Sequence, residues 1–221
     1  MRITESILSL PYLNPLGVWV ALKLEEGKYL VQLARKSIEY FLTNQTIIDA
    51  SDAPESLKQK QGAFVTLQTY PEKILRGCIG YVIAAKPLAQ TVAECAVQAA
   101  VGDPRFPHVK KEELPGLVIE VSVLTPMMKL EAEEPELYAK AIEVGRDGLM
   151  IEDGYYSGLL LPQVAAEKGW NEEEFLAQTC VKAGMPPNAW KSKRASVYRF
   201  EAQLFDELKP GGEVVEKVLG E

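Results

Sequence analysis

Histidine is almost missing from this chain of 221 residues, which has only His108, and cysteine is scarce, at Cys78, Cys95 and Cys180. One histidine and three widely spaced cysteines provide no ligand spacing of the zinc type, so no metal is expected. An odd number of cysteines so far apart also argues against a secreted disulfide framework. They read as free thiols, and the expected location is cytoplasmic. Long apolar runs are lacking too. The early run Leu16 to Leu24 is broken by Lys23 and falls short of the ~20 residues that span a bilayer. Near the N-terminus Glu5, Pro11, Asn14 and Pro15 interrupt any signal-peptide core, so neither export nor a membrane is expected.

Basic charge is in deficit. The 24 Lys and Arg against 31 Asp and Glu leave a formal charge of −7, a field that opposes a phosphate backbone, and no nucleic acid partner is expected. The sequence contains no Gly-x-x-x-x-Gly-Lys-Ser/Thr loop, no Gly-x-Gly-x-x-Gly turn and no Gly-x-Ser-x-Gly elbow, so the common cofactors lose their support and none is expected.

What the chain does have is the balance of a globular protein, 47% hydrophobic and 25% charged. Leu30, Leu33, Ala34, Ser37, Ile38 and Phe41 recur at helical spacing and predict an amphipathic helix over 29–44. The polar stretch from Asp49 to Gln61, with Pro54 inside it, reads as loop with room for one helical turn. The apolar runs Ala63 to Thr69 and Ile74 to Ala84, separated by Tyr70-Pro71-Glu72-Lys73, predict an antiparallel hairpin. Pro87 suits the first turn of a helix that buries Leu88, Val92, Cys95 and Ala99 and stops near Gly102. Leu117 to Leu124 alternates as a strand with one apolar face.

The acidic, proline-containing segment Glu131 to Glu136 marks a candidate boundary. Beyond it, runs punctuated by Gly148 and Gly154 predict a second hairpin, Asn171 with Glu174 predicts a capping box, and Ser196 to Phe205 predicts a last strand. The residues after Pro210-Gly211-Gly212 read as a dispensable tail. Hairpins with helices between them, without regular βαβ alternation, predict an α+β fold, mainly antiparallel sheet with packed helices. Two unequal lobes are expected, a larger one from 1–126 plus 191–221 and a smaller one from 127–190.

Candidate chemistry centres on Leu75-Arg76-Gly77-Cys78-Ile79-Gly80. Period-2 alternation puts Arg76, Cys78 and Gly80 on one face, where a guanidinium beside the thiol favours the nucleophilic thiolate and Gly77 and Gly80 permit close approach of a ligand. The alternative is structural: glycines for tight sheet packing and Cys78 as a small buried hydrophobe. Asp103 and Arg105 follow a helix end, and Glu120 shares a strand face with Ser122; all four are candidate lining residues. Asp103 equally suits a turn before proline, and Glu120 equally suits an ion pair with Arg76. Cys95 and Cys180 read as core, and His108, in a proline-rich loop, as surface.

The hexapeptide resembles the signature of the AMMECR1 family. Further segments are similar to the family in the same order: Gly62-Ala63-Phe64-Val65-Thr66-Leu67, Asp103-Pro104-Arg105-Phe106, Glu120-Val121-Ser122-Val123-Leu124-Thr125, Leu160-Leu161-Pro162-Gln163-Val164-Ala165 and Cys180-Val181-Lys182-Ala183-Gly184. The resemblance covers roughly 28–205. It implies an α+β fold of two unequal lobes, the larger holding both ends of the domain, and no established activity. Memo-like and radical-SAM proteins, found alongside related domains, are the partners it implies. His108 departs from the pattern Asp-Pro-Arg-Phe-Pro-Pro, which weakens a Cys-His dyad.

These features leave two expectations. The first is a regulatory or ligand-binding module that takes a small molecule or protein at the hexapeptide strand, in a cleft between the lobes. The second is an enzyme with Cys78 as nucleophile and Arg76 as its activating neighbour, acting on a small acidic substrate. The oligomeric state is not legible in the sequence.

Overall fold

Helix α1 (Leu24–Asn44) starts five residues before the periodic pattern does, because Glu26 reaches back to the Lys23 backbone N–H in a capping box and Glu25 and Glu26 suit the positive end of the helix dipole. It ends at Gln45, in the left-handed region at φ 58°. The computed structural model describes residues 4–7, 21–83 and 85–217. Pro11, Asn14 and Pro15, most of the run from Leu16, and Ala84 lie outside the described residues.

The chain forms two compact units. Among the described residues, the larger comprises 21–124 together with Gln203–Lys217. Its sheet has five antiparallel-paired strands in the order β10-β9-β4-β2-β3, with β2 Ala63–Thr69, β3 Leu75–Tyr81, β4 Leu117–Leu124, β9 Ala202–Glu207 and β10 Val214–Lys217. Helices α1 and α2 (Leu88–Val101) pack on one face of it, and Leu30, Ile38, Val92, Ala96, Val65, Leu67, Ile119 and Val121 form a single core. All eight residues of β4 are buried, the polar Glu120 and Ser122 included, so the strand is covered on both faces and not on one.

The smaller unit takes Thr125–Ala202 and β1 (Thr4–Ile7). Its sheet runs β1-β5-β8-β6-β7, with β5 Met128–Glu131, β6 Gly148–Asp153, β7 Tyr156–Leu160 and β8 Ser196–Phe200. Helices α3 (Glu136–Ala141), α4 (Pro162–Lys168) and α5 (Glu172–Lys182) complete it. The capping box of α5 is present: the Asn171 N–H donates to the Glu174 carboxylate and the Glu174 N–H to the Asn171 side-chain oxygen, each at 2.9 Å. Five α-helices and two antiparallel sheets among the described residues make the fold α+β, and no described helix is long and apolar enough to cross a membrane.

Three expectations are corrected. Ser196 to Phe205 is not one strand: β8 belongs to the smaller sheet and β9 to the larger, with Glu201 between them, so the chain re-enters the larger unit at Gln203 and not near Lys191. Tyr198, Phe200, Ala202 and Leu204 alternate with Arg199, Glu201 and Gln203 straight through the transfer, so periodicity cannot mark it. The residues after Gly212 are not all tail, because β10 pairs with β9 and buries Val214. The acidic segment Glu131 to Glu136 falls inside the smaller unit, between β5 and α3, and the boundary lies earlier, at Thr125.

Candidate functional site

The hairpin β2–β3 closes through Thr69 and Ile74, whose backbones bond at 2.9 Å. Gln68 pairs with Leu75, yet Leu67 pairs with Gly77, so Arg76 is the extra residue of a β-bulge and has no partner in the ladder. A bulge re-aims its side chain. The Arg76 guanidinium accordingly turns to Glu113, with Nε and Nη2 each 3.1 Å from the same carboxylate oxygen, and Nη1 donates to the Pro107 carbonyl at 2.9 Å. The expected pairs of Arg76 with Cys78 and with Glu120 are therefore replaced by one with Glu113.

Beyond the bulge the register assembles a polar row. Thr66 lies opposite Cys78 on one side and Glu120 on the other. The Thr66 hydroxyl donates to Cys78 Sγ at 3.3 Å, and Lys217 of β10 stands 3.7 Å from the Glu120 carboxylate. Phe64, two residues before Thr66, lies opposite Gly80 and Ser122. Side chains two apart share a face, so Cys78, Gly80, Thr66, Glu120 and Ser122 all stand on the face away from α1 and α2. Ser122 is fully buried, and among the described residues its hydroxyl has no hydrogen-bond partner.

The two glycines serve packing. A Cβ on Gly77 would meet the Ala99 carbonyl of α2 at 2.1 Å, and one on Gly80 would meet the Phe64 ring at 2.2 Å. Gly77 thus faces the helix, opposite to Cys78.

At the free edge of β3 the Cys78 N–H donates to Asp103 at 2.9 Å, and Arg105 donates to the Cys78 carbonyl at 3.3 Å. Arg105 is also paired with Asp103, at 2.6 Å from Nη2 and 2.9 Å from Nε. The Arg105 guanidinium, opposed by burial, holds the Asp103 carboxyl well below the usual carboxylate range.

Burial pushes the half-buried Cys78 thiol above its ordinary value; the Thr66 hydroxyl and Arg105 oppose this, while the Glu120 and Asp103 carboxylates add to it. The cation that acts on the thiol is Arg105, not Arg76, and the sum disfavours the thiolate. Burial pushes Cys95 up to about 12 and also raises Cys180. Both are fully buried core residues, Cys95 in the larger unit and Cys180 in the smaller. No cluster of three or more His, Cys, Asp or Glu side chains among the described residues could hold a metal ion. A concavity of about 650 Å³ against α1, bordered by Lys36, Tyr40, Lys111, Pro115 and Pro210, contains none of the site residues expected from sequence.

Sequence reasoning missed Thr66, Glu113 and Lys217. Thr66 lies within a segment that resembles the family, but counting back from the turn pairs it with Gly77, because the bulge at Arg76 shifts the register by one.

The family model described as AMMECR1 matches residues 31–205. The chain is similar to protein MJ0810 of Methanocaldococcus jannaschii, at 50% identity over 90% of this chain and 98% of that one. It is similar to protein MK0488 of Methanopyrus kandleri at 49% identity, over 90% and 97%. The crystal structure of PH0010 from Pyrococcus horikoshii superimposes with a TM-score of 0.86 at 50% identity, over 90% of this chain and 99% of that one.

Proposed function

We propose that this chain, which belongs to the AMMECR1 family, is a regulatory or ligand-binding module whose ligand sits against the polar face of the hexapeptide sheet. The observation that carries this reading is the Ser122 hydroxyl, buried and unpartnered on the face that also presents Cys78, Thr66 and Glu120. A buried hydroxyl without a partner costs about 1–3 kcal/mol, so a position that only served packing would favour alanine. A thiol, two hydroxyls and a carboxylate in adjoining register suit a small polar molecule that exchanges several hydrogen bonds at once. Arg105, half-exposed at the edge of β3, suits an acidic group on it, as does a protein partner of the Memo-like or radical-SAM kind that brings such a group.

The experiment is capture. The protein is incubated with a metabolite extract, washed and denatured, and the released molecules are identified by mass spectrometry. A compound retained by the native chain and lost from Ser122→Ala and Thr66→Val is expected. Equal retention by both variants would remove the sheet face from consideration.

A second reading, Cys78 as a nucleophile on a small acidic substrate, draws on the Thr66 hydrogen bond to Sγ, since a donor on sulfur stabilises the thiolate. Iodoacetamide labelling across pH separates the two. The enzyme reading requires Thr66→Val to slow labelling of Cys78 near neutral pH, and an unchanged profile would end it.

A further inference from the structure

An edge strand presents backbone N–H and C=O groups that need partners, and proteins commonly close such edges with a loop. Strand β3 is the edge of the larger sheet. Its hexapeptide is nevertheless met by the loop that follows α2 at two places, where Arg76 Nη1 donates to the Pro107 carbonyl and where Cys78 meets Asp103 and Arg105. At Cys78 the substitution is complete. A carboxylate accepts its N–H and a guanidinium donates to its C=O, the two bonds a neighbouring antiparallel strand would make.

We infer that Asp103 and Arg105 act as a surrogate strand for residue 78 and are positioning residues for the Cys78 thiol. The register explains how backbone capping reaches the sulfur. Because Cys78 directs both backbone groups outward, its pairing with Thr66 is of the kind without mutual backbone bonds, in which facing side chains come closest. The 3.3 Å contact between Thr66 and Sγ follows from that geometry. The division of labour between the two residues is unequal. The Asp103 side chain is 2% exposed and accepts four donors: the backbone N–H groups of Cys78 and Arg105, and Arg105 Nε and Nη2. The Arg105 side chain is 53% exposed. Without the guanidinium, Asp103 still has its two backbone donors, so Arg105 governs the carbonyl and the local charge while Asp103 governs the N–H. The importance of the thiol position rests on the sheet-face reading above; the clamp itself does not.

Residue-resolved amide exchange and iodoacetamide labelling across pH test the assignment on the full chain. In Asp103→Ala the Cys78 amide is expected to exchange roughly tenfold faster or more, while Val65 and Ile119 in the same sheet keep their protection. In Arg105→Gln the Cys78 amide should stay protected. The thiol titration should move in opposite directions, to lower pH in Asp103→Ala, which removes an anion, and to higher pH in Arg105→Gln, which removes a cation. General loosening would instead move both variants the same way, and that result, or an unchanged Cys78 amide in Asp103→Ala, overturns the inference. If Asp103→Ala does not fold, Asp103→Asn serves: its amide oxygen can still accept the Cys78 N–H, so protection should persist while the titration falls. Loss of protection there overturns the inference equally. Should the clamp behave as described while metabolite capture is the same in native and Ser122→Ala protein, the binding reading fails and the clamp stands.

Discussion

The two faces of the larger sheet are made from the same strands and have little else in common. Toward α1 and α2 it presents Val65, Leu67, Gly77, Ile119, Val121 and Val123, a dry surface on which helix α2 approaches closely enough to exclude a methyl group from Gly77. Away from the helices it presents Thr66, Cys78, Glu120 and Ser122, equally short of solvent for the most part yet held by a thiol contact, an ion pair and a hydroxyl without a partner. The inner face is arranged by volume and the outer by hydrogen-bonding capacity. Stability should therefore concentrate on the first, and, under the binding proposal, discrimination between ligands on the second.

The sharpest contrast should come from truncating the inner face. Leu67→Ala removes a fully buried side chain from the core and is expected to cost roughly 2–5 kcal/mol in urea unfolding. A cost below that of outer-face substitutions would invert the comparison. Gly77→Ala should be nearly as damaging, roughly 1–3 kcal/mol and toward the upper end, because the atom its Cβ meets at 2.1 Å is the backbone carbonyl of Ala99. Thermal denaturation of that variant measures it, and a neutral result would mean that α2 shifts easily on the sheet.

A smaller effect belongs to acid pH. The folded Asp103 carboxyl titrates below its unfolded value, so the folded state binds fewer protons there. Its contribution is complete above the unfolded value of ~3.9 and is lost as pH falls below that toward the folded value. Unfolding measured between pH 5 and 2, an interval chosen as roughly bracketing that value, should give a steeper loss in the native chain than in Asp103→Asn; parallel curves would deny the carboxylate its role at the edge of β3. The smallest effect should be Ser122→Ala, expected to be neutral or stabilising by up to about 1 kcal/mol, in contrast to every inner-face change. A loss of more than that would reveal that the hydroxyl already has a structural use.

Much of this contrast was legible in the sequence, since period-2 alternation in Ala63–Thr69 and Leu117–Leu124 separates the two faces without further information. The capping box at Asn171, the two hairpins and the family hexapeptide were readable for the same reason: their signals are local. Arg76 was misplaced because a bulge is a one-residue change in pairing that leaves no mark on composition, and its partner Glu113 lies far along the chain. Glu201, where the alternation passes from one sheet to the other, and β10, whose short run follows a Pro-Gly-Gly turn, were misread because strand membership depends on which edge is available in space. Asp103 and Arg105 stand among the candidates the sequence offers, but their attachment to the Cys78 backbone becomes visible only when the loop is seen beside the strand.

The discontinuity of the larger unit has a consequence during protein synthesis. Strands β2, β3 and β4 and both helices leave the ribosome early, but Gln203 and the rest of β9 follow only after Thr125–Ala202. At about 5–20 residues per second, those roughly eighty residues take on the order of ten seconds to make. Throughout that interval β4 is an unzipped margin, and the Ile119 N–H and the Arg35 guanidinium both wait for Glu207. The nascent chain is therefore a natural client for a chaperone that shields strand margins, and a stalled or truncated message ending before Gln203 should yield an aggregation-prone product.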